Sequence, residues 1–423
     1  MKLSIAPTKT YFIKKNGEPF FFLADTAWNA ALHSDTDGWE LYCSTRAAQG
    51  FTVIQFVASI WRGCKTPRHG RLFEEIDGAV VYDENAWRKM DEFIRIMVKH
   101  GLVPAPVMVW KNNPDEAIFK FKEETCIAAG KRMVTEWSKY NPLWILGGDG
   151  DYRNADEVRY WKTVGRGIFS DTDNTLVTMH PGGSTWICDN FKDEPWYTFA
   201  AIQSGHGSND YDLNFLLNGP YTTRWRDLQM PLINMECNYE FAKSYHEDLF
   251  YTAYHVRRGS WWSLLGAPTA GITYGSNTIW VWPMGDHEHA EGHGEGWPAD
   301  NWKTGLDTEG VRNMQTTRQI LEQLPWQDLK PAPQVIDEQR GWGDLRKFCK
   351  AAATDSMETI LIYLPRQVYD IKLSGAQITP EYEAFWINPR TGGKHPAKFD
   401  RTQNSVIARC PSHEDWLLLC QRY

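Results

Sequence analysis

The sequence predicts an α/β fold, namely a (β/α)8 TIM barrel followed by a small C-terminal antiparallel β-sandwich. Apolar runs of strand length alternate with helical patterns along roughly three quarters of the chain, which is typical of repeated βα units. Prolines between residues 325 and 333 then mark a linker, and the runs after it are short, β-like and separated by turns. We therefore expect a barrel domain over residues 1–325 and a sandwich domain over residues 335–423.

Eight apolar runs are the candidate barrel strands, and helical patterns lie between them. The predicted strands are residues 20–25, 52–58, 102–110, 143–148, 175–180, 199–203, 231–236 and 259–265. The predicted helices include 37–49, 85–100, 116–139, 155–170, 247–258 and 309–323. For the sandwich, the predicted strands include 359–364, 383–387 and 416–420.

Composition limits the kinds of partner. The net charge is -8 and there is no basic block, so neither a nucleic acid nor an anionic membrane surface is an expected partner. The chain is rich in aromatic residues, with 21 Trp, 18 Tyr and 19 Phe. Indole rings stack on the apolar faces of sugars, although they also fill large cores. A small carbohydrate substrate is therefore expected, whereas the oligomeric state cannot be read from the sequence.

The chain carries no targeting or cofactor signature. Its first ten residues lack the apolar run of a secretory signal, and no later run is long enough to span a bilayer. The eight cysteines include no CxxC pair, which is typical of reduced thiols, so we expect a cytoplasmic protein. We expect no cofactor, because nucleotide-binding glycine motifs are absent, and no G-x-S-x-G elbow indicates a serine hydrolase.

Two predicted strands lead into an acid, and these two acids are the candidate catalytic pair. The fourth strand is followed by Asp149, and the seventh ends on Glu236. The carboxyl ends of barrel strands lie on the face that carries the chemistry. Glycosidic cleavage needs one acid that protonates the leaving oxygen and one carboxylate that attacks the anomeric carbon or activates water. Asp151 and Glu240 are alternatives, and any single strand-end acid could instead cap the next helix.

Further side chains near the predicted strand ends suit sugar hydroxyls and ring faces. The alternative for Asp25 is a helix-capping box, and lone histidines are more often structural. Aromatic residues cluster around the predicted eighth strand, where packing at the barrel bottom is the alternative, above all for Trp261. The predicted substrate-binding residues are Asp25, Trp28, Trp110, His180, Gln203, His206, Tyr239, Glu240, Trp262, Tyr274 and Trp280, with Trp282 in the same Gly-rich loop.

The segment 285–295 contains three histidines and four acids, and it invites a metal-binding interpretation. The HExxH zinc pattern fails, because His287-Glu288 is followed at once by His289, and the glycines oppose a helix. We expect a polar loop that borders the active-site mouth and no metal. A metal-dependent hydrolase that uses His287, His289 and His293 is the alternative.

Several ordered motifs resemble those of the apiosidase-like glycoside hydrolases of clan A. They are Asp25-Thr-Ala-Trp28, Gly147-Gly-Asp149, Gln203-Ser-Gly-His206, and Glu236 followed by Tyr239-Glu240. The resemblance covers nearly the whole chain and implies a retaining double displacement, with Asp149 as acid/base and Glu236 as nucleophile. It also implies a terminal apiofuranose or another plant-glycan sugar as substrate.

Two differences bear on the substrate more than on the mechanism: Cys237 stands where the family often has Pro, and no export signal is evident. A non-catalytic carbohydrate-binding protein on the same barrel is the remaining alternative.

Overall fold

The computed structural model describes residues 1–110, 121–170, 174–285, 301–402 and 405–422. Its strands, in chain order, are β1 (Leu3–Ile5), β2 (Phe12–Lys14), β3 (Pro19–Phe20), β4 (Phe22–Thr26), β5 (Val53–Val57), β6 (Phe73–Ile76), β7 (Ala79–Tyr82), β8 (Val103–Trp110), β9 (Trp144–Gly148), β10 (Val177–Thr178), β11 (Ala200–Gln203), β12 (Leu232–Glu236), β13 (Gly271–Gly275), β14 (Lys330–Pro331), β15 (Ile336–Glu338), β16 (Lys350–Ala353), β17 (Thr359–Leu364), β18 (Asp370–Ser374), β19 (Glu383–Ile387), β20 (Lys394–Pro396), β21 (Phe399–Arg401), β22 (Ser405–Arg409) and β23 (Trp416–Gln421). Its α-helices are α1 (Ala30–His33), α2 (Thr36–Ala48), α3 (Glu84–Lys99), α4 (Glu123–Trp137), α5 (Ala155–Phe169), α6 (Cys188–Phe191), α7 (Asp210–Asn218), α8 (Pro220–Thr223), α9 (Ala253–Gly266), α10 (Asn277–Val281) and α11 (Glu309–Glu322).

The larger part of the chain forms a barrel of eight parallel strands. Their order in the sheet is β10-β9-β8-β5-β4-β13-β12-β11. Between β10 and β11 a backbone hydrogen bond of 2.9 Å runs from Thr198 N to Val177 O. Every residue of these strands is buried, because helices cover the outer face and side chains fill the interior. The predicted TIM barrel is confirmed.

Seven of the eight predicted barrel strands overlap an observed strand, but the eighth prediction is wrong. Residues 259–265 lie inside helix α9, and the eighth strand is β13. From Val256 to Gly266 every residue of α9 is buried, because the helix lies between the barrel and the C-terminal sheets. A helix without an exposed face has no amphipathic pattern and cannot be distinguished from a buried strand by periodicity.

The other helices lie close to their predicted positions. Helix α4 begins at Glu123, seven residues after the predicted start, and residues 111–120 lie outside the described ranges. No helix in the described ranges is both long and apolar enough to cross a membrane.

The C-terminal part is a sandwich of two antiparallel sheets, as predicted. One sheet has the order β14-β16-β17-β23-β19-β20 and the other β15-β18-β22-β21. Strand β17 contributes to two cores: Ile360 and Ile362 pack inside the sandwich, whereas Leu361 and Tyr363 join the core of the barrel. Helix α11 ends at Glu322 and β14 starts at Lys330, so we propose that the domain boundary lies between them.

A buried ion pair connects the two parts. Arg257 on α9 donates two hydrogen bonds to Asp415, of 2.8 and 2.7 Å, and both side chains are fully buried. Arg390 and the Tyr363 hydroxyl also donate to this carboxylate, at 2.7 and 3.1 Å. The sandwich therefore braces the barrel through helix α9.

Candidate active site

The carboxyl ends of the barrel strands bring several predicted site residues together around Glu236. Glu236 is the last residue of β12 and is only 4% exposed. Its Oε1 accepts hydrogen bonds from Gln203 Nε2 at 2.6 Å and from His206 Nε2 at 3.0 Å. Its Oε2 lies 3.5 Å from Nε2 of His180. Residues at the ends of β10 and β11 therefore surround the carboxylate at the end of β12.

Hydrogen bonding keeps this carboxylate ionised. Burial raises the pKa of Glu236, but the hydrogen bond and electrostatic attraction of His206, together with a hydrogen bond from the Tyr239 side chain, outweigh this, and the pKa lies below its ordinary value. The backbone N–H of Tyr239 donates to Nδ1 of His206 at 3.4 Å. Since Nδ1 accepts, Nε2 carries the proton that is donated to Glu236.

A β-bulge places Gln203 beside Glu236. Strands β11 and β12 pair in regular register up to Ile202 and Asn234, after which Gln203 pairs with Glu236 and Met235 is skipped. The extra residue on β12 changes the direction of the strand and brings the two side chains to the same face. The remaining amide oxygen of Gln203 is buried and has no hydrogen-bond partner among the residues that the structure describes.

Aromatic side chains form one wall of the site. Trp28 donates from Nε1 to the Tyr239 hydroxyl at 3.1 Å, and its ring lies edge-on to Trp110 and to His180, with centroids 5.2 Å apart in both cases. The His180 ring stacks on Trp110 at 6.1 Å. Trp61, which the sequence analysis missed, lies 4.4 Å from Trp110 between ring centroids. Its position three residues after a predicted strand end was a usable signal.

His180 is held as a neutral imidazole. Burial lowers its pKa, and the negative charge of Glu236 opposes this effect without cancelling it. Neither ring nitrogen has a well-aligned hydrogen-bond partner within the described ranges. A buried imidazole in this state can donate to and accept from ligand hydroxyl groups.

Asp149 lies directly after β9 and is half-buried, with a left-handed backbone (φ 46°). Its Oδ1 would lie 3.8 Å from a Cβ atom added at Gly182. The alternative acid, Asp151, is 55% exposed and forms an ion pair with Arg153. Partial removal of its hydroxyl from water raises the pKa of Tyr245, and the charges of Glu236 and Asp149 raise it further, so both acids act on the same hydroxyl.

Two consecutive glycines, Gly182 and Gly183, form the surface beside Asp149. A Cβ atom at Gly182 or Gly183 would meet no atom of the described residues closer than 3.5 Å, so packing against this part of the chain does not require glycine at either position. The ring of Tyr245, which is 55% exposed, lies 5.4 Å from that of His206. Tyr245 was missed in the sequence, because it lies in a loop without periodic pattern.

The structure contradicts a substrate-binding role for Asp25. Its carboxylate accepts hydrogen bonds from Arg46 at 2.5 Å and from the Tyr42 hydroxyl at 2.7 Å, and both belong to helix α2. Arg46 and Asp25 are fully buried. Side chains alternate along β4, so the next residue, Thr26, faces the barrel interior, where it accepts from Gln55 at 2.7 Å.

Glu240 and Tyr274 are also placed in the helical layer, against the prediction. Tyr274 pairs with the outward-facing Asp25 in the sheet, and its hydroxyl donates to Glu240 at 2.6 Å. Glu240 further accepts from the Thr308 hydroxyl at 2.6 Å and from Gly310 N at 3.1 Å. These contacts hold the start of α11, so Glu240 is not an alternative catalytic acid.

Trp262 lies outside the cleft because it belongs to α9 and not to a strand. Its Nε1 donates to the carbonyl of Phe348 in the C-terminal part at 2.8 Å. Trp261 stacks on Tyr363 with centroids 6.4 Å apart. Both indoles therefore fill the junction between barrel and sandwich.

The two remaining predicted tryptophans differ in position. Trp280 packs beside Trp61, with centroids 6.3 Å apart, and donates to Asn277 at 3.0 Å, so it supports the aromatic wall from behind. Trp282 stacks on Trp302 at 3.9 Å and belongs to the helical layer.

The histidine-rich segment and its candidate ligands, His287, His289 and His293, lie outside the described residues. Within the described ranges, no group of three or more His, Cys, Asp or Glu side chains is arranged to hold a metal ion.

The sequence matches the family described as "Apiosidase-like, catalytic domain" over residues 6–328. The chain belongs to this family of glycoside hydrolases. Among solved structures, one described as a glycoside hydrolase has a TM-score of 0.81 at 23% identity, covering 100% of this chain and 97% of that chain. A glycoside hydrolase family 5 protein from Bacteroides vulgatus has a TM-score of 0.82 at 20% identity, with coverages of 100% and 93%.

A GH30 endoxylanase from Clostridium papyrosolvens has a TM-score of 0.53 at 9% identity, with 100% coverage of both chains. These structural similarities show a shared fold. No curated protein matches the chain in sequence.

Proposed function

We propose that this glycoside hydrolase removes a terminal sugar, an apiofuranose or another plant-glycan residue, by a retaining double displacement. Glu236 attacks the anomeric carbon while protonated Asp149 protonates the leaving oxygen. Asp149 then deprotonates the water that cleaves the glycosyl-enzyme intermediate. The single observation that carries the proposal is the environment of Glu236.

Glu236 has the properties that a nucleophile needs. It is buried, its pKa lies below the ordinary value, and two hydrogen bonds to Oε1 orient it. The Tyr239 hydroxyl contributes a further hydrogen bond to the carboxylate, and Nε2 of His180 lies 3.5 Å from Oε2.

The wall around Glu236 supports cleavage at a chain end. Trp28, Trp110 and His180 close one side of the site, and Glu236 is 4% exposed. A sugar within a polymer would need open space on both sides of its ring. We therefore propose that the pocket holds one terminal sugar, whose hydroxyls bind His180 and the amide oxygen of Gln203.

A cytoplasmic location is also proposed. The structure contains no disulfide bond among the cysteines it describes, which agrees with a reducing compartment.

The proposal is tested by hydrolysis of aryl glycosides that include β-apiofuranosides and common pyranosides. We expect Glu236→Ala to lower kcat/KM by about 10⁴-fold or more. Asp149→Ala should lower it by about 10²- to 10⁴-fold with poor leaving groups and far less with dinitrophenol, which needs no protonation. Proton NMR of the first product should show the retained anomer.

Asp151→Ala is the matched control, because this exposed acid lies two residues from Asp149 and should be dispensable. An inverted product, or full activity of Glu236→Ala, would contradict the mechanism. Hydrolysis of only a pyranoside would contradict apiofuranose as substrate and leave the roles of the two acids intact.

A further inference from the structure

A surface cavity of about 450 Å³ lies between the barrel and the sandwich, and none of the candidate catalytic residues lines it. Its walls come from α7, α8 and α9 on one side and from residues 331–351 on the other. We propose that this cavity is a second carbohydrate-binding site, in which the indole of Trp342 stacks on a sugar ring of a glycan chain.

Trp342 is the feature that points to a ligand. Its residue is 71% exposed, and it is the only exposed tryptophan among the described residues. Leaving a whole indole in water forgoes the stabilisation that burial of an aromatic ring provides. The ring lies nearly perpendicular to that of Phe348, with centroids 5.8 Å apart, and most of its surface remains exposed to solvent.

The turn that carries Trp342 is rigidly built. Gln339 bridges its two ends, since Nε2 donates to Cys349 O at 2.9 Å and Oε1 accepts from Cys349 N at 2.8 Å. Gly343 has a φ of 95°, which favours glycine. A Cβ atom at Gly341 would approach Cα of Phe348 to 2.5 Å. The backbone that carries the exposed indole is therefore held in place, which lowers the entropy cost of binding.

The cavity offers hydrogen-bonding groups beside the ring. Asn218, Thr223 and Asp337 line it together with the apolar Ile336. Its volume lies within the range of small-ligand sites, which combine apolar walls with a few polar groups. An aromatic face next to hydroxyl, amide and carboxylate groups matches a sugar ring, which has an apolar face and a polar rim.

Both walls are fixed relative to each other. Lys350 Nζ donates to Leu217 O at the end of α7 at 2.7 Å, and Leu345 N donates to Asp210 at the start of the same helix at 3.2 Å. A glycan bound here would thus be held against both parts of the molecule. The site would retain a polymer near the enzyme without changing the hydrolysis of a small glycoside.

The test is affinity electrophoresis of the full chain in gels that contain arabinogalactan, homogalacturonan or xyloglucan. We expect at least one polymer to retard the wild type, and Trp342→Ala to weaken this binding about tenfold or more. Thr223→Arg places a long side chain in the cavity from its opposite wall. It should weaken the binding of the polymer as well and leaves the turn unchanged. Tyr369→Ala is the matched control, because Tyr369 is a 58% exposed aromatic residue of the sandwich outside the cavity.

Hydrolysis of an aryl glycoside is measured in parallel and should be unchanged in all three variants. The proposal is overturned if no polymer retards the wild type, or if Trp342→Ala is retarded equally. If Trp342→Ala changes the oligomeric state in solution but not the retardation by polymers, the indole serves self-association instead. If the wild type hydrolyses no aryl glycoside, the proposed catalytic function is contradicted, whereas the proposal of a second binding site is not.

Discussion

At the scale of single residues, the direction of a side chain decides its role. Asp25 and Glu236 both lie near the carboxyl end of a barrel strand, but Asp25 points to helix α2 and Glu236 into the barrel mouth. The alternation of strand side chains separates the two, since Thr26 and not Asp25 faces inward. A sequence position near a strand end is therefore insufficient to predict a substrate contact.

His206 should control the pH dependence of activity. It lowers the pKa of Glu236, which must be deprotonated to attack. In His206→Ala the pKa of Glu236 rises, so the acid limb of the kcat/KM profile moves to higher pH. Loss of a hydrogen bond to a charged group should also cost about tenfold or more in kcat/KM at neutral pH.

The control is His395→Ala, an exposed histidine of β20, which should leave the profile unchanged. An acid limb that stays in place in His206→Ala would show that another group sets it.

At the scale of elements, the loops after β9 and β10 shape the space beside Asp149. Gly182 N donates to Gly150 O at 2.8 Å, so the two loops are held together. A Cβ atom at Gly182 would lie 3.8 Å from Asp149 Oδ1 and would meet only ordinary contacts with the protein. We propose that the leaving group passes over this surface.

Gly182→Val should discriminate between substrates by the size of the leaving group. The added side chain narrows the space next to the acid, so kcat/KM should fall about tenfold or more for a disaccharide. It should change little for a small aryl glycoside, and the melting temperature should stay close to that of the wild type. Gly393→Val, in an exposed turn of the sandwich, is the control, and equal losses for both substrates would contradict the prediction.

At the scale of the whole molecule, the barrel and the sandwich share one core. Helix α9 packs between them, and the Arg257–Asp415 pair is closed to solvent. Burial raises the pKa of Asp415, but the hydrogen bonds from Arg257 outweigh this and hold the pKa below its ordinary value of 3.8. The pair therefore stabilises the folded state above that value, and the stabilisation is lost as the pH falls through the lower folded-state pKa.

Asp415→Asn should destabilise the protein by about 3–5 kcal/mol at pH 7, because Arg257 then loses its buried counter-charge and keeps only the 60% exposed Glu309, 3.9 Å from Nη1. The difference from the wild type should shrink as the pH falls below about 4, where Asp415 of the unfolded chain becomes protonated, and should vanish only below the lower folded-state pKa. Denaturant unfolding at several pH values measures both effects. Asp400→Asn breaks an exposed pair with Arg409 and should change stability little, and a pH-independent difference for Asp415→Asn would contradict the assignment.

The sequence alone determined the barrel, the sandwich and most element positions, because alternating strand and helix patterns are local. It also led to Glu236 and to its neighbours Gln203, His206 and His180, since parallel strands must end on one face. Their substrate and catalytic roles stay predictions.

Only the tertiary structure decided three points. It showed that 259–265 is helical, because burial by the sandwich removes the amphipathic pattern of α9. It showed that the side chains of Asp25, Glu240 and Tyr274 face the helical layer, because their hydrogen-bond partners lie far away in the chain. It brought Trp61 to the aromatic wall and exposed Trp342 at the junction. These outcomes depend on contacts between distant segments, which no local pattern encodes.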